Sequence, residues 1–211
     1  FVYELISVSS ASTPVCSQPQ TGTVTIVVND APIINTPTPY VVCDDSFDNE
    51  GFTCFDLTQK NAEISTDPNV VITYHETPTD AQTGANPITG LYCNIVPDAQ
   101  TIYVRAHFNG SPACYTNTTL QLTINPLPLS NPVITDYELC DYTNPGDGEE
   151  VFTLDTKTLE IANGQTGVTV SYYLTQQDAI DQTGSLPNNY TNISTPQQIW
   201  INISDNVTGC N

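Results

Sequence analysis

From position 101, Ile102, Val104, Ala106 and Phe108 alternate with Thr101, Tyr103, Arg105 and His107; from 119, Leu120, Leu122 and Ile124 alternate with Thr119, Gln121 and Thr123. A period of two sends the two sets to opposite faces of a pleated strand, so both stretches are predicted as half-buried strands. Residues 40–43, 52–57 and 70–76, with similar runs later, bring the expected density to roughly seven short strands per hundred residues, separated by Pro, Asn, Gly and Asp. That spacing predicts an all-β chain of immunoglobulin-like sandwiches. Helical turns are expected only as connections, at 58–64, where Thr58 could cap, and at 79–83.

The pattern repeats. Val42-Cys43-Asp44, Gly51-Phe52 and Phe55-Asp56-Leu57-Thr58 return as Leu139-Cys140-Asp141, Gly148-Glu149 and Phe152-Thr153-Leu154-Asp155, a shift of 97 positions. Val70 to Tyr74 returns as Val168 to Tyr172, and Gln100-Thr101-Ile102-Tyr103-Val104 as Gln197-Gln198-Ile199-Trp200-Ile201. At the front, Thr23 to Val28 followed by Asn29-Asp30-Ala31-Pro32 mirrors Thr119 to Ile124 followed by Asn125-Pro126-Leu127-Pro128. Proline fixes φ and withholds a donor, so these tails read as linkers. The expected organisation is the C-terminal part of one repeat (1–32), a complete repeat (33–128), and a repeat lacking its last strand (129–211).

The repeat changes how the seven cysteines read. Cys43 and Cys114, and again Cys140 and Cys210, stand at equivalent places, and the third repeat keeps no other cysteine. This favours pairing Cys43 with Cys114 and Cys140 with Cys210, and leaves Cys54 with Cys93. Cys16 stands where Cys114 does, so its partner is expected upstream of Phe1. No C-x-x-C spacing suggests zinc. Disulfides imply an oxidising compartment and export from the cytosol.

Charge narrows the partners. Against 23 acidic residues stand only Lys60, Arg105 and Lys157, for a net charge of −20, yet only 12% of the chain is charged. With 38% hydrophobic residues this is a folding composition, unlike that of a charge-dense disordered tail. Three cations cannot neutralise a nucleic-acid backbone or an anionic membrane surface, which excludes both as direct partners. No apolar run is long enough for a transmembrane helix, and Phe1 opens no signal segment. The absence of Met suggests a piece from the interior of a longer polypeptide.

Cys-Asp-Asp at 43–45, Gly-Phe at 51–52, Phe-Asp-Leu-Thr at 55–58, Asn-Ala-Glu-Ile at 61–64, Val-Ile-Thr-Tyr-His-Glu-Thr at 71–77, Gln-Thr-Ile-Tyr-Val-Arg at 100–105 and Asn-Pro-Leu-Pro at 125–128 resemble the repeats of giant surface proteins in gliding Bacteroidetes. The chain is similar over its whole length to the SprB-type motility adhesins. The resemblance implies type IX secretion, display as a filament at the outer-membrane surface, and a role in gliding motility and attachment. It implies partners among neighbouring repeats and the secretion and motility machinery of the envelope, and surface polysaccharide as a target. It offers no catalytic residue to carry over. The third repeat departs from the pattern at Tyr172-Tyr173-Leu174-Thr175 and at Asn202 in place of Arg105, so no shared role for His75, Glu76 or Arg105 is expected.

Candidate chemistry is sparse. Asp44, Asp45, Asp48, Asn49 and Glu50, with Asp141, Asp147, Glu149 and Glu150 in the next copy, could supply oxygens to Ca²⁺. Against calcium, Asn49 stands where an EF-hand needs Gly, and the alternative is a solvated hairpin rich in turn-forming side chains. His75-Glu76 lacks a second histidine four residues on. No G-x-S-x-G elbow accompanies His75 or His107, and an exposed strand histidine is the expected state. The chain is expected not to be an enzyme and to need no cofactor beyond that possible calcium. Tyr103 and Trp200, equivalent and on the polar strand face, could stack on sugars or cover a cross-strand neighbour. A carbohydrate-binding array is therefore the alternative to a filament segment.

Overall fold

The alternating stretches form strands in the computed structural model, which describes residues 1–46 and 48–211. The strands are β1 (Val2–Ser9), β2 (Ser17–Thr25), β3 (Tyr40–Cys43), β4 (Cys54–Phe55), β5 (Val70–His75), β6 (Tyr92–Cys93), β7 (Ala99–Phe108), β8 (Ser111–Asn125), β9 (Val151–Thr153), β10 (Val168–Tyr173), β11 (Asn189–Thr191) and β12 (Trp200–Asp205). The complete repeat carries six of them, β3 to β8. Short helices α1 (Asn61–Ile64), α2 (Pro78–Thr83), α3 (Thr158–Ile161) and α4 (Gln176–Asp181) are connections, and 3-10 turns at Leu57–Lys60 and Leu154–Lys157 lead into α1 and α3.

The helix caps follow from short polar side chains. Thr77 Oγ1 accepts from Asp80 N at 3.1 Å and donates to Asp80 Oδ2 at 2.6 Å, while Pro78 opens α2 without a wasted donor. Thr175 and Asp178 repeat this at α4. At the turn before α1 the capping oxygen belongs to Asp56, which accepts from Thr58 N at 3.1 Å and from Thr58 Oγ1 at 2.5 Å. Thr58 is thus a donor there, in place of the cap read from the sequence.

The chain divides into two units, residues 1–36 with 61–88 and 103–119, and residues 37–60 with 89–102 and 120–211. β7 (10 residues) and β8 (15 residues) each contribute residues to both units. They lie centrally in a four-stranded sheet of order β3-β8-β7-β5. In the first unit, β1 pairs antiparallel with β2, Val2 opposite Thr25, and β5 pairs antiparallel with β7, Tyr74 opposite Val104. In the second, β3 pairs parallel with the end of β8, Cys43 opposite Asn125; β4 pairs with β6, β9 with β11, and β10 with β12.

A sheet-rich, sandwich-like architecture results: the complete repeat has the two-stranded β4-β6 sheet besides the four-stranded one, and the third repeat has the two-stranded sheets β9-β11 and β10-β12. In the third repeat Leu154, Ile161, Tyr172 and Tyr190 form the buried centre, with Phe152, Val170, Ile199, Ile201 and Ile203 packed against it. The equivalent Leu57, Ile64, Tyr74 and Tyr92 are buried as well. Tyr172 keeps its hydroxyl satisfied by donating to Leu154 O at 2.7 Å, and burial pushes its phenol above the ordinary value. Ile161→Ala should therefore destabilise by about 3 kcal/mol through lost burial and a residual cavity. Ile193→Ala, at a 72% exposed position, should stay within about 0.5 kcal/mol in the same thermal melt.

Candidate functional site

Two disulfides are formed. Cys54 and Cys93 face each other across β4 and β6. Cys43 is bonded to Cys210 over a sequence separation of 167, with Cα atoms 5.6 Å apart. The bond leaves the complete repeat and enters the next one, so the Cys43–Cys114 and Cys140–Cys210 pairings read from the sequence are overturned. Register supplies the reason. Cys43 lies opposite Asn125 on β8, and Cys114 lies on that same strand eleven residues earlier, about 35 Å away at 3.3 Å per residue. A disulfide tolerates no more than about 7 Å between Cα atoms. Cys16, Cys114 and Cys140 carry free thiols.

Cys43 ends β3 and Cys210 follows β12, and the segments beside both are held in shape by their neighbours. Asp44 N donates to Asn125 O at 2.8 Å, and the buried Asp44 carboxylate accepts from Ser46 N at 3.0 Å, Ser46 Oγ at 3.2 Å and Gly51 N at 2.8 Å. Burial alone would raise its pKa; the Ser46 and Gly51 N–H donors and the Ser46 hydroxyl outweigh burial and hold it below the usual value. Gly51 has φ +74° and a Cβ there would stand 2.4 Å from Asp98 Oδ1, so only glycine fits. Asn49 clasps the linker in both directions, donating to Leu127 O at 3.1 Å and accepting from Leu127 N at 2.6 Å. On the other side, Asp205 accepts from Val207 N at 2.9 Å, Thr208 N at 2.7 Å and Thr208 Oγ1 at 3.0 Å, and its own N–H donates to Cys210 O at 2.8 Å. Donors from Thr208 first and Val207 next keep the Asp205 carboxyl below its ordinary pKa.

Behind these loops lie polar clasps that the sequence reading missed. Asn94 donates to Gly51 O at 2.8 Å and Val96 O at 2.7 Å and accepts from Thr53 N at 2.8 Å; Asn192 makes the matching bonds to Gly148 O, Ser194 O and Glu150 N. Gln100 bridges Ile95 N and Tyr92 OH, as Gln197 bridges Ile193 N and Tyr190 OH. The detectable signal was identity of an uncharged polar residue at the same place in both repeats.

The cations are spent internally. Lys60 reaches Thr38 Oγ1 at 2.9 Å and Lys157 reaches Thr135 O at 2.9 Å; they stand 5.7 and 5.9 Å from the Tyr40 and Tyr137 ring centres. Glu160 accepts from Thr135 N at 2.6 Å and from Lys157 Nζ at 2.9 Å, and these contacts lower its pKa to about 2. Arg105, placed by periodicity on the polar face, is 6% exposed. It donates to Ala81 O, Gln82 O and Pro112 O, and its guanidinium carbon lies 3.6 Å from the Tyr115 ring centre. His75 is fully buried, contrary to the expected exposed state, because the 78–88 segment covers that end of β5. Its Nδ1 donates to Ala85 O at 2.7 Å and its Nε2 lies 2.9 Å from Thr73 Oγ1.

The acidic loops do not converge as a calcium cage. Asp45 accepts from Thr53 Oγ1, and Asp48 is held below its usual pKa by the Ser46 hydroxyl first. Asp141 accepts from Gly146 N and Gly148 N, Asp147 from Asn144 and from Glu149 N, and Glu150 from Tyr142 N, Thr143 N and Thr143 Oγ1. Among the described residues no three His, Cys, Asp or Glu side chains come together where a metal ion could sit. The physical reason is competition: short carboxylates two to seven residues from backbone N–H groups close Asx turns. Tyr103 lines a shallow cavity of about 210 Å³ with Pro78, Gln82 and Asn117, and Trp200 lines an apolar groove of about 560 Å³ with Ile134, Ile180 and Ile201.

A bond from the first cysteine of one repeat to the last cysteine of the next is the distinguishing feature. Residues 39–128 and 136–211 match the model of the Flavobacterium inter-domain disulphide bond domain. The chain belongs to this family. The Cys43–Cys210 bond joins the two matched stretches. No curated protein matches the chain. Disulfide-linked domains of this kind belong outside the reducing cytosol.

Closing a loop of 167 residues stabilises by about 5 kcal/mol in the chain-entropy model. Cys43→Ala and Cys210→Ala should each lose most of that in urea unfolding, and the double variant should lose little more than either, since both remove one bond. Asp205→Asn tests the loop. A carboxyl with a depressed folded pKa contributes stability above its unfolded value that is lost as pH falls through the folded one. The difference in melting temperature between wild type and Asp205→Asn should be full at neutral pH, begin to shrink as pH falls to about 3.8, and vanish only below the still lower folded value.

Proposed function

We propose that this chain is a load-bearing segment of an exported, filamentous surface adhesin that serves gliding motility and attachment, with no catalytic role. The observation that carries the reading is the Cys43–Cys210 bond. A filament pulled at its ends transmits force through the covalent backbone, and a bond from one repeat to the next shields the 167-residue span between its ends from extension.

The free thiols extend the scheme. Cys140 occupies the position of Cys43, and Cys114 and Cys16 occupy that of Cys210. In this reading each is half of an identical staple whose other half lies in an adjoining repeat, so every repeat is bonded to its neighbours on both sides. Those neighbouring repeats are the primary partners, with the type IX secretion and motility machinery of the envelope and a surface polysaccharide as further ones. The uniform negative charge keeps neighbouring filaments apart through repulsion that salt screens.

A second reading, a carbohydrate-binding array, draws on Tyr103 and Trp200, each of which lines a concavity. Glycan binding abolished by Tyr103→Ala and Trp200→Ala would favour it over the filament.

Antibodies against this chain should label intact flavobacterial cells, and deleting its gene should abolish spreading on agar; label confined to the cell interior, or unchanged spreading, contradicts the proposal. In single-molecule stretching, reduction should release about 570 Å of additional contour length, from 167 residues at roughly 3.4 Å each. Equal extension with and without reductant would remove the mechanical argument.

A further inference from the structure

The first unit holds a cleft whose polar rim takes no part in holding the fold together. Tyr103 lines it from β7, Asn117 and Thr119 from β8, and Pro78, Ala81 and Gln82 from α2. Its walls are fixed in advance. Arg105, 6% exposed and two residues along β7 from Tyr103, holds α2 by donating to Ala81 O at 2.9 Å and Gln82 O at 2.7 Å. Its guanidinium carbon lies 3.6 Å from the Tyr115 ring centre, which ties the same side chain to β8. The Thr77 cap on Asp80 N sets the turn that carries Pro78. Helix and both strands are thus joined through one buried cation, and a ligand need not order them.

Elsewhere in the molecule the uncharged polar side chains are committed, as Asn94 and Gln100 are to backbone groups and to Tyr92. Around the cleft they are not. Among the described residues, the side chains of Gln82, Asn117, Thr119 and Tyr103 make no hydrogen bond within the chain. The lining is uncharged throughout, in a chain with 23 acidic residues, so the cleft favours an uncharged ligand. Pro78, Ala81 and the Tyr103 ring supply apolar surface, while each amide of the rim offers both donors and an acceptor. A ring with C–H groups on its face and hydroxyls around its edge matches both, because the negative face of an aromatic ring attracts such C–H groups. At about 210 Å³ the cleft falls below the roughly 300 Å³ at which pockets for drug-sized ligands begin, and it takes one ring-sized group.

We propose that this cleft binds a single neutral hexopyranose unit of a polysaccharide, with Tyr103 stacked on the sugar ring and Gln82 and Asn117 bonded to its hydroxyls. The proposal rests on the carbohydrate-binding reading and narrows it to one site, one ring and an uncharged sugar. The site belongs to the complete repeat, since Ile180 stands in the third repeat where Gln82 does and removes an amide from the rim. A ligand this small on an open site binds weakly, with a dissociation constant of about millimolar.

The test is saturation-transfer NMR on the full chain with methyl β-D-glucopyranoside, methyl β-D-galactopyranoside and methyl α-D-mannopyranoside, each titrated well past millimolar. Expected is transfer to the ring C–H protons of at least one of them. Tyr103→Ala should weaken that binding by about tenfold or more. Gln82→Ala and Asn117→Ala, at exposed positions, should each weaken it several-fold with an unchanged thermal melt. If Tyr103→Ala melts early, Tyr103→Leu replaces it, keeping apolar bulk without the aromatic face. Glucuronic acid should bind less well than the glucoside, because its carboxylate meets a chain of net charge −20. No transfer to any of the three glycosides, or transfer unchanged in the Tyr103 variants, overturns the proposal, and so does a preference for glucuronic acid. A proline-rich peptide that binds through Tyr103 where the glycosides do not assigns the cleft to peptide and overturns it. Sugar binding lost in Trp200→Ala and kept in Tyr103→Ala overturns this site while leaving the wider carbohydrate reading in place; a glycan array with no positive spot removes both.

Discussion

A covalent bond from one domain to the next sets terms for everything around it. Two sulfurs hold their Cα atoms 5.6 Å apart, and a disulfide accommodates little error in that distance. The end of β3 and the turn that carries Cys210 must therefore be delivered to each other to within about 2 Å. Neither is a long regular element, so their shape comes from short polar side chains closing turns. Asp44 gathers the N–H groups of Ser46 and Gly51, Asp205 gathers those of Val207 and Thr208, and Asn49 grips Leu127 in the linker.

This explains an unusual composition. A chain with many carboxylates and few cations has little scope for ion pairs, of which Lys157 with Glu160 is one. The acids are used as hydrogen-bond acceptors for backbone N–H groups, an arrangement that needs no partner charge. The uncharged Asn and Gln clasps, Asn94 and Gln100 with their counterparts Asn192 and Gln197, work in the same way behind the loops. Arg105, the one buried cation in the first unit, is surrounded by carbonyl oxygens and an aromatic face.

Periodicity and self-similarity made much of the fold legible. The alternation at 101–108 and 119–124 became β7 and β8, and the shift of 97 or 98 positions carried the core Leu57, Ile64, Tyr74 and Tyr92 onto Leu154, Ile161, Tyr172 and Tyr190. The pairing of Cys43 was illegible for a specific reason. Shifting one member of a pair by a whole repeat leaves the pattern of equivalent cysteines unchanged, so the pattern identifies which two positions bond without saying whether they share a repeat. Only the register of β3 on β8 separates the alternatives. The burial of His75 and Arg105 escaped for a different reason, since strand alternation says nothing of a connection such as α2 folding over the polar face.

The claim on which the account turns is the identity of one bond. Digestion of the oxidised chain, with free thiols blocked beforehand, followed by mass spectrometry of the linked peptides measures it directly. The account predicts a Cys43 peptide joined to a Cys210 peptide, with Cys114 and Cys140 blocked as free thiols in the isolated chain. Recovery of Cys43 joined to Cys114, and Cys140 joined to Cys210, would contradict it.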